Sequence, residues 1–416
     1  MSGFPEAPSS NIKVYFEEID PVDNDNNNEI KLSNLKRSTA GNVKAPIVEV
    51  DLSSGGGVAY KNNKQSNNKK KKNRKKAAAA ASNTPLAPPT LLKFESTTLS
   101  TQSAKNAPLP RGGCTMTLLN NSYIVLGGAD RNVGQFSFDV IHRFDSITSS
   151  WSKISLSGSP APSKRYGHSA ISYKNTIYVF GGKFEDIEEN VIDYDDLWAL
   201  DGELKAWTKI EVSGNCCARN SHSAVVIDDK MVVMGGANSD GPTNEVHIFD
   251  FGTKCWTKSD IVGSVCPSPR EMHASVVFKG GMYMMGGRVE EGSASQELWK
   301  LEKKNALNTY EWKQLAVPPS PRCAHVSGVV EDLLIVYGGF DGEATIFDDI
   351  MMFDFDKNEW VDCELRGPPV GRLAVCACVD EGEEEGEEER EGGLVFFGGV
   401  NAACDLGDIN VIRIVS

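Results

Sequence analysis

Arg165-Tyr166-Gly167-His168-Ser169-Ala170-Ile171-Ser172-Tyr173-Lys174-Asn175-Thr176-Ile177-Tyr178-Val179-Phe180-Gly181-Gly182 is the stretch on which the fold turns. Ser169–Tyr173 is a short strand-like run, Asn175-Thr176 reads as a turn, and Ile177–Phe180 is rich in β-branched and aromatic residues before a glycine pair. After a polar loop, Leu197–Leu200 makes a third strand and Trp207–Ile210 a fourth. Apolar segments this short, joined by Gly, Asp and Asn turns, indicate a four-stranded antiparallel sheet rather than βαβ units.

The unit recurs. Glycine pairs stand at Gly127-Gly128, Gly181-Gly182, Gly235-Gly236, Gly286-Gly287, Gly338-Gly339 and Gly398-Gly399, spaced by 54, 54, 51, 52 and 60 residues. A period near fifty belongs to propeller blades and not to helical solenoids. Four units share the order arginine, histidine, glycine pair, tryptophan: Arg165/His168/Trp207, Arg219/His222/Trp256, Arg270/His273/Trp312 and Arg322/His325/Trp360. On these residues the chain resembles the kelch-repeat β-propellers, over about Phe94 to Ile414. The first unit departs by placing Cys114 where histidine is expected and the last by placing Val375 there, while Arg111 and Arg372 are kept.

The ends predict how the ring closes. The last unit supplies a first strand near Leu373–Val379, a second at Leu394–Phe397 and a third at Ile409–Ile414, then runs out of chain. Leu91–Glu95 precedes the first complete unit where a fourth strand belongs, with Phe94 in place of tryptophan. The expected fold is therefore an all-β, six-bladed kelch β-propeller over residues 91–416, its sixth blade completed by an N-terminal strand that removes free sheet edges. Within that blade, residues 380–392 are expected to form an inserted acidic loop, mobile because glycine and like charge oppose order at Glu381–Arg390.

Residues 1–90 differ in kind. They carry four asparagines in Asn24–Asn28, Ser53–Gly57, a basic run at Lys69–Lys76 and an Ala77–Ala81 tract before Pro85, Pro88 and Pro89. Too little apolar surface is present to offset the entropy of ordering, so the segment is expected to be a disordered tail. Residues 1–92 hold 14 Lys/Arg and 9 Asp/Glu, whereas the remainder holds 29 and 48, so a basic tail precedes an acidic propeller. The Lys69–Lys76 run has the density of a nuclear-import signal, and equally of a patch for acidic lipid or RNA. No stretch of about twenty apolar residues and no signal-peptide pattern is present. The ten cysteines include no Cys-x-x-Cys, which fits a reducing cytoplasm or nucleus better than a disulfide or zinc framework.

Residues present in nearly every unit belong to blade architecture. His168, His222, His273 and His325 occupy one equivalent position and are expected to bond backbone beside the strand. Arg111, Arg165, Arg219, Arg270, Arg322 and Arg372 are expected to pair with Asp139, Asp196, Glu245, Glu297, Asp349 and Asp408, one carboxylate just before each third strand. Catalytic motifs are missing: there is no Gly-x-x-x-x-Gly-Lys-Ser/Thr and no Gly-x-Ser-x-Gly. Some kelch-like propellers are enzymes, including an iron-dependent plant group with Glu, Asp and His at four-residue intervals in one loop. Glu185, Glu189 and Asp193 have that spacing without the histidine.

Kelch chains without an enzymatic or ubiquitin-ligase module, such as Rab-GTPase-effector-like, host-cell-factor-like and cell-tip polarity proteins, resemble this layout. The resemblance implies a non-enzymatic, cofactor-free scaffold, expected to be a monomer. The alternative is an enzyme or small-molecule-binding propeller with a site at the channel mouth, which a convergent cluster of metal ligands or perturbed acids would mark. Antiparallel strands put the loops after the glycine pairs on one face, opposite the acidic insertion, and kelch propellers generally bind ligands on that loop face. Candidate partner-binding residues there are Phe184, Glu185, Asp186, Glu188, Glu189, Arg288, Phe340 and Asp341, with Asp193, Asp195, Glu290, Glu291 and Glu343 adding charge. The expected partner is a protein offering a basic or mixed-charge peptide, with Phe184 and Phe340 as anchors and the carboxylates steering association.

Overall fold

The computed structural model of the chain describes residues 91–99, 104–156, 158, 160–289, 292–304, 308–385 and 388–415, without side chains at 383–391. Expectations for residues 1–90, for the Lys69–Lys76 run and for Glu290 and Glu291 lie outside the described residues. Among those described, no helix is long and apolar enough to cross a membrane.

Six antiparallel sheets form the blades of a propeller. The second shows the plan: Ser169–Tyr173, Thr176–Phe180, Leu197–Asp201 and Trp207–Lys209 pair in that order from the axis outward. Its first turn sits at Lys174-Asn175, one residue before the expected position, because Tyr173 pairs with Thr176. Both turn residues have positive φ, as do Asn120-Asn121 and Asp228-Asp229 at the same place in blades 1 and 3. Two-residue turns of that hand match the twist of the strands they join.

Alternate side chains of each sheet point to opposite neighbours. Ile177 and Val179, with Trp207 of the same blade, pack on Phe138 of blade 1, while Phe180 and Leu197 pack on Met231 and Trp256 of blade 3. The described residues accordingly form six core clusters, one per blade junction. Stability is thus distributed around the ring.

Blade 6 closes as expected. Leu92–Thr98 pairs antiparallel with Ile409–Val415, and Phe94 is fully buried. The acidic insertion differs from the expected loop. The first two strands run on as Cys376–Glu385 and Glu388–Phe397, with ladder partners out to Glu385↔Glu388. A register already set by Cys378↔Val395 lets the backbone keep pairing outward at small further closure cost, whatever the side chains prefer. The sequence also gave no hint of straps that leave one blade for the next. Asp260–Val262 lies parallel to the outer strand of blade 4, and Cys363–Arg366 lies parallel to Leu92–Glu95 on blade 6.

The glycine pair is where blades are buckled together. Gly182 N–H donates to the Arg219 carbonyl of the next blade at 2.9 Å, and the cycle closes with Gly399 N–H to the Arg111 carbonyl at 2.8 Å. Gly181 and Gly182 have φ of 66° and 94°, and a Cβ on Gly181 would sit 2.6 Å from the Arg219 oxygen. Each repeated arginine is buried and donates to the carbonyl of its own blade's first glycine at 2.9 to 3.1 Å. Five also pair with the expected carboxylate: Arg165–Asp196 at 2.5 Å, Arg219–Glu245 at 3.6 Å, Arg270–Glu297 at 2.5 Å, Arg322–Asp349 at 2.7 Å and Arg372–Asp408 at 2.8 Å. Blade 1 departs in its carboxylate, since Asp139 Oδ1 has no hydrogen-bond partner among the described residues; the Arg111 guanidinium lies 3.5 Å over the Phe136 ring, as those of Arg165 and Arg322 lie over Tyr194 and Phe347.

The residue two after each arginine forms a second ring. Gly167 N–H donates to Gly113 O, Ser221 to Gly167, Met272 to Ser221, Ala324 to Met272, Ala374 to Ala324 and Gly113 to Ala374, at 2.7 to 2.9 Å. All six have positive φ, four of them without being glycine. One closed circuit of backbone hydrogen bonds thus runs around the axis on the post-glycine face.

Three of the histidines bond the preceding blade through a hydroxyl at Nε2, and His222 and His273 also interact with the backbone of Arg219 and Met234, as expected. His168 Nε2 lies 3.0 Å from Thr115 Oγ1, His222 Nε2 2.8 Å from Ser169 Oγ, and His273 Nε2 2.9 Å from Ser223 Oγ. Each hydroxyl residue directly follows the histidine-equivalent position of its own blade. At the next junction that residue is Ala274, and both ring nitrogens of buried His325 are unpartnered among the described residues. Then come Val326 with Val375, both apolar and in one cluster, and finally Cys376 with Cys114. Burial, with the nearby arginine adding to it, holds His168, His273 and His325 down at about 3 and keeps His222 well below the ordinary imidazole value.

Candidate functional site

The post-glycine loops fold into short two-stranded ribbons that stand on the buckled ring. Blade 1 carries Ala129–Asp130 with Gly134–Gln135, blade 3 carries Ala237–Asn238 with Gly241–Pro242, and blade 2 carries the longer pair Lys183–Glu185 and Val191–Asp193. In the blade 2 ribbon Phe184 faces Ile192 across the pair, so the two share a side. A groove of about 440 Å³ separates Val133-Gly134-Gln135 of blade 1 from Phe184–Ile187 of blade 2.

That groove is edged by apolar side chains that sequence reading passed over. Ile187 at the ribbon tip, 99% exposed, and Val133, 61%, line it; Ile192, 50%, and Val191, 49%, are exposed on the second strand of the same ribbon. The acidic composition of 183–196 masked them; the available signal was isoleucine at a loop tip between Asp186 and Glu188, where burial cannot explain it. Exposed apolar residues grouped within a polar rim mark binding surfaces more often than scattered ones do.

The expected site residues divide by role. Phe184 and Glu185 line the groove, and Asp186 lies at its edge. Glu185 is already engaged, accepting from Tyr166 Oη at 3.1 Å and pairing with Lys183 at 3.3 Å. The Asp186 carboxylate caps the ribbon turn, and the Asn190 side chain and N–H together with the Glu188 N–H hold it below the usual carboxylate range. Asp193 accepts from Asn220 Nδ2 at 2.8 Å, tying the ribbon to blade 3. Glu188, Glu189 and Asp195 are exposed. Glu185 and Asp193 therefore serve different partners, and the four-residue spacing of Glu185, Glu189 and Asp193 does not converge on a ligand.

Arg288, Phe340 and Asp341 lie elsewhere on the ring. Arg288, on blade 4, donates from Nε to Glu271 Oε1 at 3.0 Å. Phe340, on blade 5, bridges Cys323 and Ile346 through its backbone and is half-buried. Asp341 caps its own turn: partial burial pushes its carboxyl up, but donors from Glu343, Thr345 and Ala344 outweigh that and hold it at about 2. Blades 2 and 5 are opposite in a six-fold ring, so Phe184 and Phe340 do not flank one short segment. The residues brought together are those of the blade 1 and blade 2 ribbons. Among the described residues, no group of three or more His, Cys, Asp or Glu side chains is placed to hold a metal ion.

The family model described as the KLHDC2/KLHL20/DRC7 Kelch-repeats domain matches residues 89–287 and 221–416. The chain is similar to the Kelch domain-containing protein 3 of Bos taurus, 28% identical over 282 residues that cover 62% of this chain and 71% of that protein. It is also 28% identical over 221 residues to Tip elongation aberrant protein 1 of Schizosaccharomyces pombe, covering 50% of this chain and 19% of that one. Among solved structures, YjhT superposes with a TM-score of 0.57 at 16% identity over 75% of this chain and 99% of its own, a likeness of fold alone.

Proposed function

Because the chain belongs to the kelch-repeat family, whose propellers in general bind other proteins, we propose that it is a non-enzymatic scaffold that seats a partner protein on its post-glycine face. The seat is the groove between the first two ribbons. The observation that carries this reading is Ile187, fully exposed at the tip of the longest ribbon, with exposed Val133 on the other side of the groove. Such a cluster costs solvation while alone and is relieved by an apolar side chain laid against it. Glu188, Glu189 and Asp195 rim the same ribbon on a chain of net charge −14, which favours a segment carrying lysine or arginine beside its apolar anchor and speeds its approach.

A photoreactive side chain at position 187 of the full chain tests the face. Position 147 serves as comparison, since Ile147 is 70% exposed on a third-to-fourth-strand connection, which antiparallel blades place on the opposite face. Discrete protein adducts from 187 that are absent from 147 support the reading; adducts from 147 alone overturn it. We further propose that Lys69–Lys76 directs the protein to the nucleus. An identical distribution of fluorescent fusions with and without replacement of that run by alanine and glutamine overturns this assignment.

A further inference from the structure

The junction between blades 6 and 1 is where a ring built from a linear chain must open if it opens at all. It is held by Leu92–Thr98 in the sixth sheet, by Gly399 to Arg111 in the buckle and by Gly113 to Ala374 around the axis, none of them covalent. At this junction the two positions that hold histidine and hydroxyl at three others both hold cysteine. Cys114 Sγ and Cys376 Sγ lie 3.0 Å apart in the core shared by the two blades. We propose that Cys114 and Cys376 are a modification site, a dithiol that a peroxide converts into a reversible disulfide stapling the last blade to the first.

The geometry asks for little. A disulfide needs its sulfurs about 2.0 Å apart, so the pair must close by roughly an ångström. The two thiols also differ in the way the chemistry requires. The Cys376 hydrogen bond and the nearby Arg111 guanidinium outweigh burial and hold the Cys114 thiol below its ordinary value, while burial pushes Cys376 up. Of the two, Cys114 is therefore the thiol that gives up its proton more readily, and Cys376 keeps its proton longer. Cys114 directly follows Gly113 of the hydrogen-bonded ring around the axis and is 6% exposed, against 4% for Cys376.

The steps balance. Cys114 sulfur attacks one peroxide oxygen, the O–O bond breaks, and Cys114 becomes a sulfenic acid while the departing hydroxide takes a proton and leaves as water. Cys376 sulfur then attacks the sulfenic sulfur, the S–O bond breaks, and the hydroxide leaves as a second water with the Cys376 proton. Two thiols lose two electrons, and one peroxide is reduced to two waters. In a reducing compartment such a bridge is transient. Cys378, in the same core, is pushed far up by burial and is the poorer competitor.

The test uses the full chain, reduced and then treated with hydrogen peroxide, blocked by alkylation, digested without reductant and read by mass spectrometry. The exposed thiols Cys217, Cys266 and Cys404 report the dose. The expected result is a linked peptide pair joining Cys114 to Cys376 and a thermal midpoint raised by roughly 5–10 °C, since the bridge spans 262 residues of chain, with both reversed by dithiothreitol. Cys114→Ser and Cys376→Ser should each abolish both. If a variant does not fold, the wild-type reversal still decides. Recovery of Cys114 and Cys376 as free thiols at doses that oxidise the three exposed ones would overturn the proposal, as would a linked pair that leaves the midpoint unmoved.

Discussion

Ala274→Ser should stabilise this protein. At three junctions a hydroxyl on the innermost strand meets the next blade's histidine within 3.0 Å, and Ala274 stands at the fourth such position beside a His325 with both ring nitrogens unpartnered among the described residues. The substitution adds one oxygen on a Cβ that already points as those of Thr115, Ser169 and Ser223 do, and so needs no backbone movement. A typical protein hydrogen bond contributes a net of about 1 kcal/mol, and an orphaned buried polar atom costs about as much again. The expected gain is about 1 kcal/mol, or roughly 2 °C in a domain of this size. Urea unfolding of four proteins reads it as a cycle: wild type, Ala274→Ser, His325→Leu and the double variant. The gain should appear only where His325 is present, with a coupling of about 1 kcal/mol. An unchanged or lowered stability in Ala274→Ser, or an equal gain in the His325→Leu background, would refute the junction pairing.

The buried histidines set a pH window. A histidine that titrates near 6.5 unfolded but at about 3 folded leaves the unfolded chain holding more protons between those values, so stability is full above about pH 7 and falls as pH drops through 6.5. At pH 5.5 the loss is about 1.4 kcal/mol for each of His168, His273 and His325, or about 4 kcal/mol for the three; an unfolding free energy unchanged between pH 7.5 and 5.5 contradicts this. Carboxylates act lower: hydrogen bonds from Lys258 and His247 hold Glu245 at about 2, so its contribution is complete above about pH 4.5 and is lost as pH falls towards 2. Restoring the missing carboxylate pair in blade 1 is not a matter of charge, since Asp139 is already present; Phe136→Leu, which removes the ring under the Arg111 guanidinium, should cost about 1 kcal/mol in urea unfolding, and no change would show that the stacking contributes nothing. Deleting residues 383–389 should leave the thermal midpoint within a few degrees, because the hairpin extends past the blade; a large drop in a thermal scan would show that it packs against the ring.

Sixfold repetition is why the fold was legible. One blade's strands are ambiguous alone, but glycine pairs, tryptophans and arginines recurring at one phase placed the blade 2 strands to within a residue or two and identified Leu91–Glu95 as the closing strand, observed at Leu92–Thr98, whereas the first two strands of blade 6 each run six residues beyond an expected bound. What was missed depends on distances that run between blades. The axial amide ring joins backbones some fifty residues apart and imposes positive φ on Ser221, Met272, Ala324 and Ala374, residues whose side chains give no such signal. The junction pairs were present in the sequence as the residue after one histidine matched with the next blade's histidine, yet only the structure shows that these two positions touch. Composition misled at the acidic hairpin, where a preset ladder overrides glutamate and glycine, and at the blade 2 ribbon, where acids drew attention from Ile187. Several of those acids turned out to be engaged within the fold.

The claim that the first two ribbons seat a partner is tested most directly with peptides displayed at random, selected on the full chain and then measured singly by fluorescence anisotropy against wild type and Ile187→Asp. Ile187 touches no core cluster, so its replacement leaves the ring intact. The account predicts enriched peptides that combine lysine or arginine with an apolar side chain, bound at least tenfold more weakly by Ile187→Asp, a loss of about 1.4 kcal/mol. Peptides that bind both proteins equally would contradict it.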